Sequence, residues 1–207
     1  MQAVERHRQE VLSCSRCFPD GENFPVVDIA KTVRAMLVGQ APGITEVTTR
    51  APFTGPAGRR LQTWFERAGV RREEIFFSAL ARCFPGKAPG GGDKPPSKAM
   101  MRNCRPHLDA EFALLRPRVV IPVGGMAIKE LLGITRLVDA VGLTFERDGI
   151  LYVPLPHPSG ASTWLNAPEN KARLDRALAE FGASVAALRA GTEGRIETRT
   201  TAASDRS

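Results

Sequence analysis

The chain has 207 residues, 43% of them hydrophobic, and Lys and Arg outnumber Asp and Glu by 29 to 22 for a formal net charge of +7. That length suits one domain with a core of its own plus an arm and a tail, and the basic balance points to polyanionic partners. No apolar run reaches the roughly 18 residues of a membrane span, and the N-terminal MQAVERHRQE lacks the apolar stretch of a secretory signal. The expectation is a cytoplasmic monomer with no membrane partner.

In chain order, Cys14 and Cys17 come first. With Cys83 and Cys104 they form a bipartite pattern, Cys14-x2-Cys17 and Cys83-x20-Cys104, that uses every cysteine. Two pairs of thiolates can close a tetrahedral shell around zinc or hold a cubane iron–sulfur cluster, and either would pin the N-terminal arm to the core. A disulfide reading would need export, for which the sequence offers no support.

Residues 34–38 (RAMLV) read as a short buried strand, followed by a tight turn at Gly39-Gln40-Ala41-Pro42-Gly43. A helix is predicted over 58–68, where Leu61, Trp64, Phe65 and Ala68 share one face and Gly69 provides the stop. Residues 75–81 (IFFSALA) give a second strand, and 84–96 a Gly/Pro-rich loop with Lys87 and Lys94. Ser97 is placed to cap a long helix with Cys104, Leu108, Phe112 and Leu115 on one face, which Pro106 is expected to kink or restart.

Residues 119–123 (VVIPV) form the third strand, and Gly124-Gly125 lead into a helix through Leu132. Residues 150–155 form the fourth strand and run into Pro156-His157-Pro158-Ser159; a last helix spans 168–181. From about 190 the chain is polar and reads as a disordered tail. Strands alternating with helices imply an α/β fold, a three-layer α/β/α sandwich around a four-stranded, mainly parallel sheet. Ligands of such sheets sit outside the carboxyl ends of the strands. The Gly39 turn, the lysine-bearing loop and the His157 loop all fall at that edge.

Four stretches carry a resemblance when taken together in this order. They are Gly39-Gln40-Ala41-Pro42-Gly43-Ile44-Thr45-Glu46 with Pro52-Phe53-Thr54-Gly55-Pro56-Ala57-Gly58; Arg82-Cys83 at a strand end; Cys104-Arg105-Pro106-His107-Leu108; and His157-Pro158-Ser159. With Cys14 and Cys17 they make residues 10–182 similar to the uracil-DNA glycosylase superfamily, closest to its iron–sulfur branch, families four and five. The resemblance implies one such domain over 1–189, with a tail over 190–207. It also implies a 4Fe-4S cluster on Cys14, Cys17, Cys83 and Cys104, with structural zinc as the alternative.

The implied activity is a monofunctional DNA glycosylase of base-excision repair that hydrolyses the bond to uracil or another deaminated base. Its partner is DNA with that base flipped out of the stack. The alternative is a non-catalytic lesion binder of the same fold. His157 is the expected donor to the forming oxyanion of the leaving base. Gln40 would orient water or pair with the base, and Glu46 is the nearest carboxylate available as general base. Phe53 would stack on the base, and Gly39 and Ala41 would let the backbone approach it. Ala79 stands where family four carries a base-reading Asn, and with the preceding Ser78 it resembles family five, a departure that leaves uracil selectivity open; Ser159 completes the pocket. Lys87, Lys94 and Lys98 would follow the phosphates. Trp164 is the candidate wedge into the duplex, because Ala161 is small for that task.

Overall fold

The computed structural model describes residues 1–21, 23–159 and 163–191. Ala161 and the tail from 192 onward, both touched by the expectations above, lie outside the described residues.

The sheet is built outward from β1 (Ala35–Gly39), which is buried along its whole length. A strand flanked on both faces must be apolar throughout, and AMLVG meets that demand. It pairs in parallel with β2 (Ile75–Ala79) and β3 (Val119–Pro122), so Leu37 lies between Phe77 and Ile121. β5 (Ile150–Tyr152) joins β3 in parallel, and a bridge from Val123 to Leu155 continues that pairing.

Among the described residues the sheet has five strands, in the order β2-β1-β3-β5-β4. The additional one, β4 (Phe145–Arg147), is an antiparallel edge strand. Three residues with Glu146 and Arg147 exposed carry no strand periodicity. The strand exists because Asp148 and Gly149, at φ 52° and 70°, turn the chain back in a tight hairpin.

Adjacent residues of β2 look toward different layers. Phe76 faces a small cavity lined by Val4 and Leu115, from α1 (Gln2–Leu12) and α4 (Lys98–Leu115). Phe77 lies 6.0 Å, between ring centroids, from Phe65 of α3 (Pro56–Ala68), which meets Phe181 of α6 (Pro168–Arg189) at 5.4 Å. That is the three-layer sandwich; α2 (Ile44–Thr49) and α5 (Gly125–Leu132) complete the α-helices among the described residues.

Ser97 caps α4 by accepting the Met100 N–H at 3.1 Å, and α4 runs on through Pro106 without a restart. Pro106 withholds one donor, from the Arg102 carbonyl. Burial of Cys104, His107, Leu108 and Glu111 holds the helix on either side. α6 continues past 181 to Arg189. Gly182 is not a stop there: a Cβ on it would come 2.3 Å from the Ala68 carbonyl oxygen, so glycine lets α6 lie directly against α3. Among the described residues no helix is long and apolar enough to cross a membrane.

Chain connections leave β1 toward β2 on one side and run from β3 onward on the other. The sheet therefore has a switch point between β1 and β3, with the turns after both strands opening onto one crevice.

Candidate active site

A cavity of about 490 Å3 opens at this carboxyl edge, lined by Gly39, Gln40, Phe53, Ala79, Asp93 and His157 among others. The volume falls within the roughly 300–1,000 Å3 typical of small-molecule sites.

Phe53 is held by its backbone. It sits at φ 53°, a left-handed conformation that costs a non-glycine residue on the order of 1–3 kcal/mol and persists only where the surroundings enforce it. Gly58 in the first turn of α3 lies so close that a Cβ there would come 1.9 Å from the Phe53 carbonyl oxygen. The ring lies over Gly39, where a Cβ would be 2.8 Å from Cζ. On the inner side it leans on Phe77 at 5.7 Å between centroids. Arg72 stacks 4.1 Å from the Phe77 centroid and donates to the Pro52 carbonyl, bracing the same loop.

Glu46 is buried and lines the cavity. Its Oε2 accepts the Gly43 N–H at 3.1 Å, and its Oε1 accepts Thr54 N–H at 3.1 Å and Gly55 N–H at 2.8 Å. The carboxylate thus ties the Gly39–Gly43 turn to the Phe53 loop. This geometry is that of a brace, with the acceptor positions facing backbone amides.

His157 follows β5 and packs against Gly124, which sits at φ 88° and whose added Cβ would be 3.2 Å from the imidazole Cδ2. Its Nδ1 accepts the Ser159 N–H at 3.2 Å, which assigns the proton to Nε2. Burial holds the imidazole pKa below its ordinary value, so the neutral Nε2–H tautomer prevails at neutral pH. Arg60 donates to the Ser159 carbonyl at 3.3 Å and steadies the loop.

Gln40 and Ala41 line the cavity, and the Gln40 carbonyl accepts Ala81 N–H at 3.0 Å. Ala79 offers the cavity only a methyl group. The Ser78 hydroxyl is engaged elsewhere: it bonds Glu111 Oε2 at 2.7 Å and accepts from Arg82 at 2.9 Å. The loop over 84–96 closes as a small hairpin in which Lys87 pairs with Asp93 at 2.7 Å. It carries Asp93 and Lys94 to the cavity wall. Lys98 is exposed at the start of α4, whereas Trp164 packs against the core with its indole nitrogen enclosed. That position suits packing better than wedging.

Sequence reasoning missed Asp93, Val26 and Glu111, and took Arg82 only as part of the Arg82-Cys83 stretch. The run of glycines between Lys87 and Asp93 is the one local signal that a hairpin would bring Asp93 inward. Arg82 and Glu111 meet across 29 residues, beyond any local pattern.

The four cysteines gather on the α1–α4 flank. None is in a disulfide; Cys83 and Cys104 are buried, Cys14 and Cys17 partly exposed. Burial pushes the Cys83 thiol up to about 12, and Cys104, Cys17 and Cys14 each add to the rise, so all four lie within electrostatic reach. Backbone Arg82 N–H donates to Cys104 Sγ and Asn103 Nδ2 to Cys17 Sγ, each at 3.4 Å. Among the described residues no three His, Cys, Asp or Glu side chains close around a single metal ion.

Fold and site together define a doubly wound α/β protein whose switch-point cavity offers a neutral imidazole donor, an aromatic face and a glycine-flanked turn. A family model described as the uracil DNA glycosylase superfamily matches residues 26–182, and the chain belongs to that superfamily.

Among curated relatives, a type-4 uracil-DNA glycosylase of Sulfurisphaera tokodaii is 30% identical over 62% of this chain and 58% of its own length. One of Pyrobaculum aerophilum is 33% identical over 47% of each chain. One of Archaeoglobus fulgidus is 27% identical over 61% of this chain and 62% of its own. The chain thus spans about half to three-fifths of the length of these relatives.

Proposed function

We propose that this protein is a DNA glycosylase that hydrolyses the N-glycosidic bond of uracil or another deaminated base and leaves an abasic site. The observation that carries this reading is the convergence of His157, Phe53 and the Gly39–Gly43 turn on one cavity. The names of the relatives point the same way.

A base flipped from the helix stacks on the Phe53 ring, whose position over Gly39 is fixed before substrate arrives. As the bond to C1′ lengthens, negative charge grows on the base and positive charge on the sugar. His157 Nε2–H donates to a carbonyl oxygen of the base; a preorganised donor in a dry cavity is the dominant source of rate in such catalysis. The Gln40 amide pairs with the base or orients the water. Water oxygen bonds C1′, and the departing base takes up a proton. Phosphates are held by Lys94, Lys98 and the overall positive field, so binding weakens as salt rises. All these groups come from one chain, in keeping with action as a monomer.

Four thiols gathered on one flank, none in a disulfide, supply the ligand number of a cubane 4Fe-4S cluster, with structural zinc as the alternative. Cys14, Cys17, Cys83 and Cys104 would hold it, and its contribution is a cross-link between the N-terminal arm and α4. Anaerobically purified protein should be brown with broad visible absorption; a colourless protein with one equivalent of zinc would reject the cluster.

The decisive test of activity uses a labelled uracil-containing oligonucleotide. Wild type should yield alkali-labile product, and His157→Ala should lower the rate about 10²–10³-fold, the range for losing one such donor. Tight binding with no product from either protein would instead assign a lesion-binding role.

A further inference from the structure

We infer that Arg82 is a positioning residue that couples the cysteine centre to the floor of the base cavity. This inference rests on the glycosylase reading above and adds to it.

Arg82 precedes Cys83 in the chain, and its backbone N–H donates to Cys104 Sγ at 3.4 Å. Its side chain, buried with the residue 2% exposed, turns the other way. The guanidinium pairs with Glu111 at 2.6 Å, donates to Ser78 Oγ at 2.9 Å and bonds the Ala79 carbonyl. Glu111 lies on α4, two turns beyond Cys104, and also accepts the Ser78 hydroxyl.

The segment so anchored carries the catalytic turn. Leu80 N–H donates to the Gly39 carbonyl at 2.9 Å and Ala81 N–H to the Gln40 carbonyl at 3.0 Å, while Val26, another cavity residue, donates to the Arg82 carbonyl at 2.8 Å. One unbroken series of contacts therefore runs from the thiols through Arg82 to the turn beneath Phe53. Arginine suits the task because its planar fork addresses Glu111, Ser78 and Ala79 at once, which a lysine point charge cannot. A pair of apolar residues could fill the same volume without orienting anything.

That contrast supplies the test, made on the intact, cluster-loaded protein. The double variant Arg82→Met/Glu111→Leu replaces the ion pair with apolar side chains of similar size; it should stay folded, at a cost for the Ser78 hydroxyl left without these partners, and keep its visible absorption. Amides of Leu80 and Ala81 should exchange with deuterium about tenfold faster, while those of Leu151 on β5 and Val153 just beyond it stay unchanged. The kcat should fall on the order of 10–100-fold with KM nearly constant, as misplacement by about an ångström predicts. Wild-type exchange and wild-type kcat in the folded variant would overturn the proposal.

Should the double variant fail to fold, Arg82→Lys keeps the charge and loses the fork. Faster exchange at Leu80 and Ala81 then supports the coupling, and unchanged exchange rejects it. If wild type itself releases no base, the glycosylase reading fails, while the exchange measurement still decides whether Arg82 couples the two regions.

Discussion

At the cavity wall, Phe53 is fixed by close backbone approach, with Gly58 against its carbonyl and Gly39 beneath its ring. On the flank that carries the cysteines, the segment after β2 is fixed by buried side-chain charge, Arg82 with Glu111 and Ser78. Both regions hold loops outside the sheet, where no strand ladder can do so. The wall holds Phe53 without spending a polar side chain on it but cannot accept an added methyl. The flank accepts changes of shape but not the loss of one charge, because the partner left behind would be buried and unpaired.

Gly58→Ala is the sharpest way to break the wall. Its methyl meets a backbone carbonyl, which cannot swing aside, so α3 or the Phe53 loop must shift. A loss of about 1–3 kcal/mol in denaturant unfolding is expected, together with weaker excision. A stable, fully active Gly58→Ala would show that the close approach is dispensable.

A pH profile sharpens the role of His157. Burial lowers its pKa, so the neutral form persists below the ordinary imidazole value of 6.5 and protonates only in more acid solution. The acid limb of kcat/KM should therefore lie below pH 6.5, with activity lost as pH falls. An acid limb above that value would contradict the buried, neutral imidazole.

The smallest effect is expected remote from both regions. The Glu74 carboxyl is lowered to about 2, first by the Arg189 hydrogen bond, with burial opposing and Arg71 assisting. A lowered carboxyl pKa contributes stability above its unfolded value of 4.5 that fades as pH falls toward 2. Glu74→Gln should cost about 1 kcal/mol at neutral pH, as for a good surface pair, and the difference from wild type should vanish in acid. A pH-independent difference would assign the loss to packing.

Much of this architecture could be read from the residues. The four parallel strands, α3 with its Gly69 stop and the Ser97 cap follow from apolar runs, helical spacing and punctuation. Elements that escaped were short or disguised. α1 buries only Val4, His7 and Val11 among charged neighbours, so its stripe is narrow. α2 has six residues, and β4 three. The last helix is legible only to 181, whereas α6 runs on through Gly182, which lets it touch α3, to Arg189.

At the site, turns and the histidine loop were legible as local patterns. The use of Glu46 by three amides, the pairing of the Ser78 hydroxyl with Glu111 and Arg82, and the inward reach of Asp93 were not, since each depends on where a second segment falls. Side-chain direction along β2 explains Ser78: alternation along a strand sends neighbours to opposite layers, and Phe77 already faces the cavity side.

The Glu46 brace limits how this protein can vary. One side chain serves two loops through both of its oxygens. An aspartate, one methylene shorter, would reach one loop and abandon the other. A glutamine would point its NH₂ at an amide that also needs an acceptor. Each of the two mildest exchanges leaves at least one of these amides without its acceptor, so a change at that position bears on both loops at once.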